Sequence, residues 1–173
     1  MRERKRFHVE IDTCYTKLIP SKENISAESC FAADGLEITP AETLLNIYIN
    51  DSTDLVTVVP VDALEQMCIH FSEQKTLLYT PLQRAIEKAV VYKKLTAVLH
   101  FTEHNLHIAV AEKGELKFAE VFPITSDNDL LYCLAEIDDS FGIAHKGHML
   151  ITGIGAEGRR KFLKKYFKHT SCE

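Results

Sequence analysis

The chain has 173 residues, 46 % of them hydrophobic, and a net charge of −5; that suits one domain or two small lobes with a core and excludes whole-chain disorder. No apolar run approaches the ~20 residues that span a bilayer. Met1-Arg-Glu-Arg-Lys-Arg6 leads at once into alternating residues rather than a signal core, which predicts a cytoplasmic protein.

Five cysteines (Cys14, Cys30, Cys68, Cys133 and Cys172) include no Cys-x-x-Cys pair and read as reduced thiols, mostly small core residues. Charge is unevenly spread. From Gly142 onward seven Lys/Arg face two Asp/Glu, a net +5, leaving −10 on the first 141 residues.

Phe7, Val9 and Ile11 alternate with polar residues, which predicts a half-buried strand that can run on to Ile19 before Pro20. Ser21–Pro40 is the least regular region, either a long loop or a short strand between loops, with a turn signal at Asp34-Gly35. Thr43–Ile49 and Leu55–Val61 form a hairpin around Asp51-Ser-Thr-Asp54. Asp62 starts a helix with Glu65 completing a capping box, and Leu64, Met67, Cys68 and Phe71 share its apolar face. Leu77–Thr80 is a short strand. Thr80 caps, and Pro81 opens, a helix burying Leu82, Ala85, Ile86 and Ala89, with Lys93 and Lys94 at its C-terminal end.

The stretch from Leu95 to Phe167 is the most regular. Ala97, Leu99 and Phe101 mark one face of a strand, Thr102-Glu-His-Asn105 turns it, and Leu106, Ile108 and Val110 return on the same face. Lys113-Gly114 turns again into a third strand, Leu116–Phe122. Thr125 or Ser126 caps a helix with Asp127 and Asp129 in its first turn and the stripe Leu130, Leu134, Ile137 and Phe141, ending at Gly142. His148–Thr152 is a short strand buried on both faces. Gly153–Gly158 opens a last helix that buries Phe162, Leu163 and Tyr166.

The β-β-β-α-β-α order of 95–168 looks like a ribonuclease-H-like or actin-like lobe. The expected fold is α/β (α+β): a mixed sheet built from an antiparallel meander followed by α-β-α. Residues 1–80 form a reduced first lobe (strand, hairpin, helix) and 81–173 the second. Leu116–Phe122, Asp129-Leu-Leu-Tyr-Cys133 and Met149-Leu-Ile-Thr-Gly153 resemble an uncharacterised bacterial family of divergent actin-like fold, distantly similar to the pilus-assembly actin-like ATPases. The resemblance covers roughly the C-terminal half.

That resemblance implies two phosphate-cradling hairpin turns, each with an Asp and a Gly that lets backbone N–H groups approach the phosphate. Ile11-Asp12-Thr13-Cys14-Tyr15-Thr16-Lys17 resembles the first, making Asp12, Thr13 and Thr16 candidate nucleotide contacts, but Cys14 stands where glycine is needed. The second would be Phe101–Asn105, which has neither Asp nor Gly. Gly153, Gly155 and Gly158 spell GxGxxG. A dinucleotide fold would need a further strand and an acid ~20 residues on, and only 15 residues follow. In an actin-like lobe this turn resembles the adenosine-contacting loop, with Ile154 interrupting its glycine pair; the alternative is a tight strand-to-helix turn whose N–H groups could hold an anion.

A ribonuclease-H-like nuclease needs an acid in its first strand, and Leu95–Phe101 has none; Glu136, Asp138 and Asp139 lie on a helix. His100 and His107 become cross-strand neighbours if the turn is four residues, a weak zinc candidate with His104 or Glu103 as third ligand. His145 and His148 belong to a loop. No Gly-x-Ser-x-Gly elbow or cysteine–histidine signature supports a nucleophilic hydrolase. Arg159-Arg-Lys-Phe-Leu-Lys-Lys-Tyr-Phe-Lys168 offers Arg159, Arg160, Lys161, Lys164, Lys165 and Lys168 to an anionic partner, or is a C-terminal helix with cations at its negative end.

Two function classes remain open beside the leading expectation of a non-catalytic divergent actin-like scaffold in an envelope-associated assembly, peripheral to the inner membrane and with a protein partner. One is a nucleotide binder with degenerate phosphate loops that takes ATP and Mg²⁺. The other is a binder of nucleic acid or acidic membrane through the basic helix.

Overall fold

The computed structural model describes residues 7–20, 26–50, 53–71 and 76–173. The chain divides into two compact units, Met1–Thr80 and Pro81–Glu173.

In the first unit, β1 (Phe7–Glu10) pairs in parallel with β5 (Thr76–Tyr79). The chain jogs through 11–15 and continues as β2 (Thr16–Pro20), which joins a second sheet. That sheet has the order β2-β4-β3, all antiparallel, with β3 at Glu42–Asn50 and β4 at Thr53–Pro60. The expected hairpin is therefore present, its turn residues 51–52 lying outside the described residues. The one long strand expected over 7–19 is instead two short strands in different sheets.

Between β2 and β3 runs α1 (Ala27–Ala33), where the sequence predicts a long loop or a short strand between loops. Seven residues make barely two turns, too short for a periodic pattern to emerge. The helix is fixed by Ser26, whose Oγ accepts from Ser29 N at 3.2 Å, and by Phe31, 1 % exposed. Phe31 packs with Ile19, Val56 and Val58 to form the core of this sheet. The Gly35 and Leu36 N–H groups return to Ala32 O and Phe31 O, and Gly35 takes φ +80°.

Helix α2 (Val61–Phe71) starts one residue before Asp62. Val61 N already has an acceptor in Ala41 O at 2.9 Å, so the helix needs no side-chain cap there. Asp62 sits in the first turn and accepts from Ala63 N. Leu64 and Met67 are only half-buried, Cys68 is exposed, and the Phe71 side chain lies outside the described residues.

The second unit begins with α3 (Pro81–Ala89), which buries Pro81, Leu82, Ala85, Ile86 and Ala89. It stops four residues before Lys93, whose carbonyl accepts from Lys113 N instead of closing the helix. The cation in the last turn of α3 is Lys88 rather than the expected Lys93 or Lys94. The sheet has the order β10-β9-β6-β7-β8. Strands β6 (Thr96–Phe101), β7 (Asn105–Glu112) and β8 (Glu115–Pro123) form the antiparallel meander; β9 (His148–Gly153) and β10 (Thr170–Cys172) run parallel to β6. The β7–β8 ladder is irregular between Val110 and Ala111.

Alternation gives the sheet two buried faces. Ala97, Leu99, Phe101, Leu106, Ile108, Val110, Met149 and Ile151 pack against Leu130, Leu134 and Ile137 of α4 (Asp127–Phe141) and Leu163 of α6 (Ala156–Leu163). Thr96, Val98, His107, Ala109 and Ala111 fill the opposite face, where the small alanines admit α3 closely. Ser126 and Asp129 form a reciprocal capping box on α4, and Gly142 closes it at φ +69°. The four-residue α5 (Ile143–Lys146) follows, its Ala144 N donating to Asp138 Oδ1 at 2.6 Å.

Candidate functional site

Three elements meet at one point of the second unit. β6 finishes at Phe101, β9 finishes at Gly153 opposite it, and α6 starts three residues later. Gly153 has φ +86°, and a Cβ there would lie 2.1 Å from Phe101 O. Ile154 N donates to that same carbonyl at 2.8 Å. Gly153 therefore exists to let two backbones touch. Gly155 caps α6 at φ +69° in open space, and Gly158 lies inside the helix with nothing near its Cβ position. Gly153 and Gly155 of the GxGxxG string thus perform unrelated local jobs, and Gly158 meets no such backbone requirement.

The turn between β6 and β7 is closed on itself. Thr102 N donates to Asn105 O at 3.0 Å, and Asn105 N donates to Thr102 Oγ1 at 3.2 Å. His104 O accepts from Ile124 N. A phosphate cradle presents N–H groups outward; here two are turned inward.

On the α3 face, His107, His100 and Thr152 form a row across β7, β6 and β9. The two imidazoles are register partners with ring centroids 6.4 Å apart, and His100 Nδ1 lies 2.8 Å from Thr152 Oγ1. His107 is fully buried and His100 half-buried. Glu103 and His104 are exposed on the turn. Among the described residues no group of three His, Cys, Asp or Glu could hold a metal ion; the third neighbour of the pair is a hydroxyl.

Asp12, Thr13 and Thr16 belong to the first unit. Their segment is the jog between two sheets, not the tip of a hairpin, because β1 pairs with β5 and β2 with β4. Thr13 Oγ1 accepts from Tyr15 N at 3.1 Å. Thr16, 3 % exposed, shares a 2.8 Å hydrogen bond with Thr57 Oγ1 inside the sheet. Asp12 is exposed.

The basic segment is not one helix. α6 stops at Leu163, Tyr166 N and Phe167 N close the last turn onto Leu163 O, and the chain then pairs as β10. Phe167 is buried in place of the expected Tyr166, which is 53 % exposed, and Phe162 is half-buried. Arg159 stacks its guanidinium 4.8 Å from the Phe101 ring centroid and reaches Asp127 Oδ1 at 3.5 Å. Arg160 grips Glu157 through Nε and Nη2 at 3.0 and 2.8 Å, and Lys161 lies 3.9 Å from the same carboxylate. Lys165 lies over Phe162, while Lys164 and Lys168 are exposed. Four of the six predicted cations are thus turned onto groups of their own unit.

Arg160, the Cys172 thiol and Lys161 together pull the Glu157 carboxyl down to about 2. A depressed carboxylate stabilises the fold above its ordinary value of 4.5 and loses that contribution as pH falls through its folded value. The Glu157→Gln variant should therefore show a flatter acid limb between about pH 4.5 and 2 in urea melts; identical limbs for variant and parent would disprove the linkage.

Sequence reading missed the Phe101–Arg159–Asp127 stack and the His100–Thr152 bond. The signal for the second was available: His100 and Thr152 are each the fifth residue of a strand, β6 and β9, and the strands run parallel in register.

The architecture that holds these residues is an actin-like ATPase fold. All of the chain matches 69 % of a Bacteroides thetaiotaomicron protein described as having an actin-like ATPase fold and unknown function, with a TM-score of 0.77 and 14 % identity. It also matches 70 % of a chain in a PilM–PilN type IV pilus biogenesis complex, with a TM-score of 0.57 and 9 % identity. Residues 38–170 match the family described as "Protein of unknown function (DUF3822)", and the chain belongs to that family. None of the curated proteins matches the sequence. No helix among the described residues is long and apolar enough to cross a membrane.

Proposed function

We propose that this protein is a divergent actin-like module that binds or scaffolds a protein partner and does not hydrolyse ATP. The observation that carries the reading is the β6–β7 turn, which lacks both Asp and Gly and turns its Thr102 and Asn105 N–H groups onto its own oxygens. The jog at 11–15 supports it, since Cys14 occupies the glycine position and the Thr16 hydroxyl is bonded to Thr57 inside a sheet. A fold whose phosphate-gripping turns are closed still offers surfaces for docking. The fold is shared with the PilM of a pilus-assembly complex, which sits with PilN; an envelope-associated assembly is the setting this similarity favours. ATP and Mg²⁺ are not part of the proposal.

Titration calorimetry of the full chain with Mg-ATP, coupled to a phosphate-release assay, is expected to give neither saturable heat nor turnover. Micromolar binding with phosphate release would overturn the loss of catalysis. Binding without release would favour the nucleotide-binder reading, with the start of α6 as the place to map it.

A further inference from the structure

We propose that the first unit carries a docking groove for a basic segment of a partner protein in which a cationic side chain is followed by an aliphatic one. This names the chemistry of the partner and rests on the binding-module reading above. The groove, about 650 Å³, opens where β3 begins, β4 ends and α2 starts. Pro40, Ala41, Pro60 and Val61 give it an apolar floor that is itself open to solvent, the first three being exposed. The floor is also stiff: both prolines have fixed φ, and Val61 N is tied to Ala41 O at 2.9 Å.

Three carboxylates rim this floor. Glu42 is held in place by Thr39, whose N and Oγ1 donate to Oε2 at 3.1 and 2.9 Å. Asp62 and Glu65 stand in the first turns of α2, both exposed. One turn beyond Glu65 on the same helical face is Ile69, 73 % exposed. Asp62, Glu65 and Ile69 fall at i, i+3 and i+7, so the acidic end of the groove leads onto an exposed apolar side chain just beyond it on the same side of α2.

An apolar floor gains free energy when it leaves water, and the rim decides by what. The first 80 residues carry 13 Asp/Glu against seven Lys/Arg. A phosphate or an acidic peptide meets repulsion there; a lysine or arginine meets fixed carboxylates, and its methylene stem covers proline. Asp62 to Ile69 is seven helical rises, roughly 10 Å. An extended peptide covers that in about three residues, which sets the spacing as a basic residue, two others, then an aliphatic one.

The test is selection of a random dodecapeptide library on the full chain. Enriched peptides should carry Lys or Arg three residues before Leu, Ile or Val. Their affinity, read by fluorescence anisotropy, should fall as salt rises and drop about tenfold or more in the Asp62→Lys/Glu65→Lys double variant. The Ile69→Ser variant, which leaves the acids untouched, should weaken the same peptides. No enrichment, enrichment of neutral or acidic peptides, or affinity unchanged in both variants would overturn the proposal. So would a concentration-dependent dimer abolished by these variants, which would make a second copy the occupant. ATP turnover would leave this groove standing, and failure of the selection would leave the loss of catalysis standing.

Discussion

Gly153→Ala is expected to destabilise the second unit by at least about 3 kcal/mol, read as a fall in the denaturation midpoint. Two costs add. An L-residue at φ +86° is strained, and the new Cβ would sit 2.1 Å from Phe101 O and 2.9 Å from Phe101 N. Neither atom belongs to a flexible side chain, so relief requires β9 to move away from β6 in the middle of a five-stranded sheet. Gly158→Ala is the control. Gly158 lies in α6 with open space around it, and alanine there should stabilise by up to about 1 kcal/mol. If the two variants behaved alike, the glycines would have a role that backbone geometry does not explain. The contrast separates a glycine needed for packing from one that merely completes a motif.

Phe31→Ala should cost about 3–5 kcal/mol and remove the cooperative unfolding of the first unit. Phe31 is 1 % exposed and central to a small core in which Ile19, Val56 and Val58 are its buried partners. The other hydrophobics packed against this core, Leu36, Ile38 and Leu44 among them, are only partly buried, so little is placed to close the cavity. Lys17, half-buried on β2, reaches both the Phe31 ring, 5.8 Å from its centroid, and an ion pair with Asp34, so truncating the ring also loosens the strand beneath. Circular dichroism melts would check this. A loss under about 1 kcal/mol would mean that α1 is dispensable to the core.

The second unit was readable because its signals are redundant. Alternation at Ala97–Phe101 and Leu106–Val110, a two-residue turn at Lys113-Gly114 with both φ values positive, and a capped helix at Ser126 all agree. The first unit resisted because its elements are short and its order is not a simple meander: β4 lies between β2 and β3 although β3 precedes it. No local pattern reports that a strand will change sheets at residue 15. α1 escaped for want of length, and β10 because three residues next to a basic run carry no period. Of the candidate residues, the His100–His107 pairing followed from turn length alone, since a four-residue turn fixes the register. The fate of Arg159 and Arg160 did not, because it depends on where Phe101, Asp127 and Glu157 come to rest in space.

The irregular step in the β7–β8 ladder has a consequence for solubility. β8 is nine residues long and forms an outer margin of the sheet, the kind of strand onto which a stray chain can pair and seed aggregates. The slip at Val110/Ala111 interrupts its straight run, Glu115, Lys117 and Glu120 stand exposed along it, and Pro123 ends it without an N–H to offer. Bend, charge and proline together make that margin a poor template, so a sheet with a largely apolar interior can keep one side open without inviting fibrils.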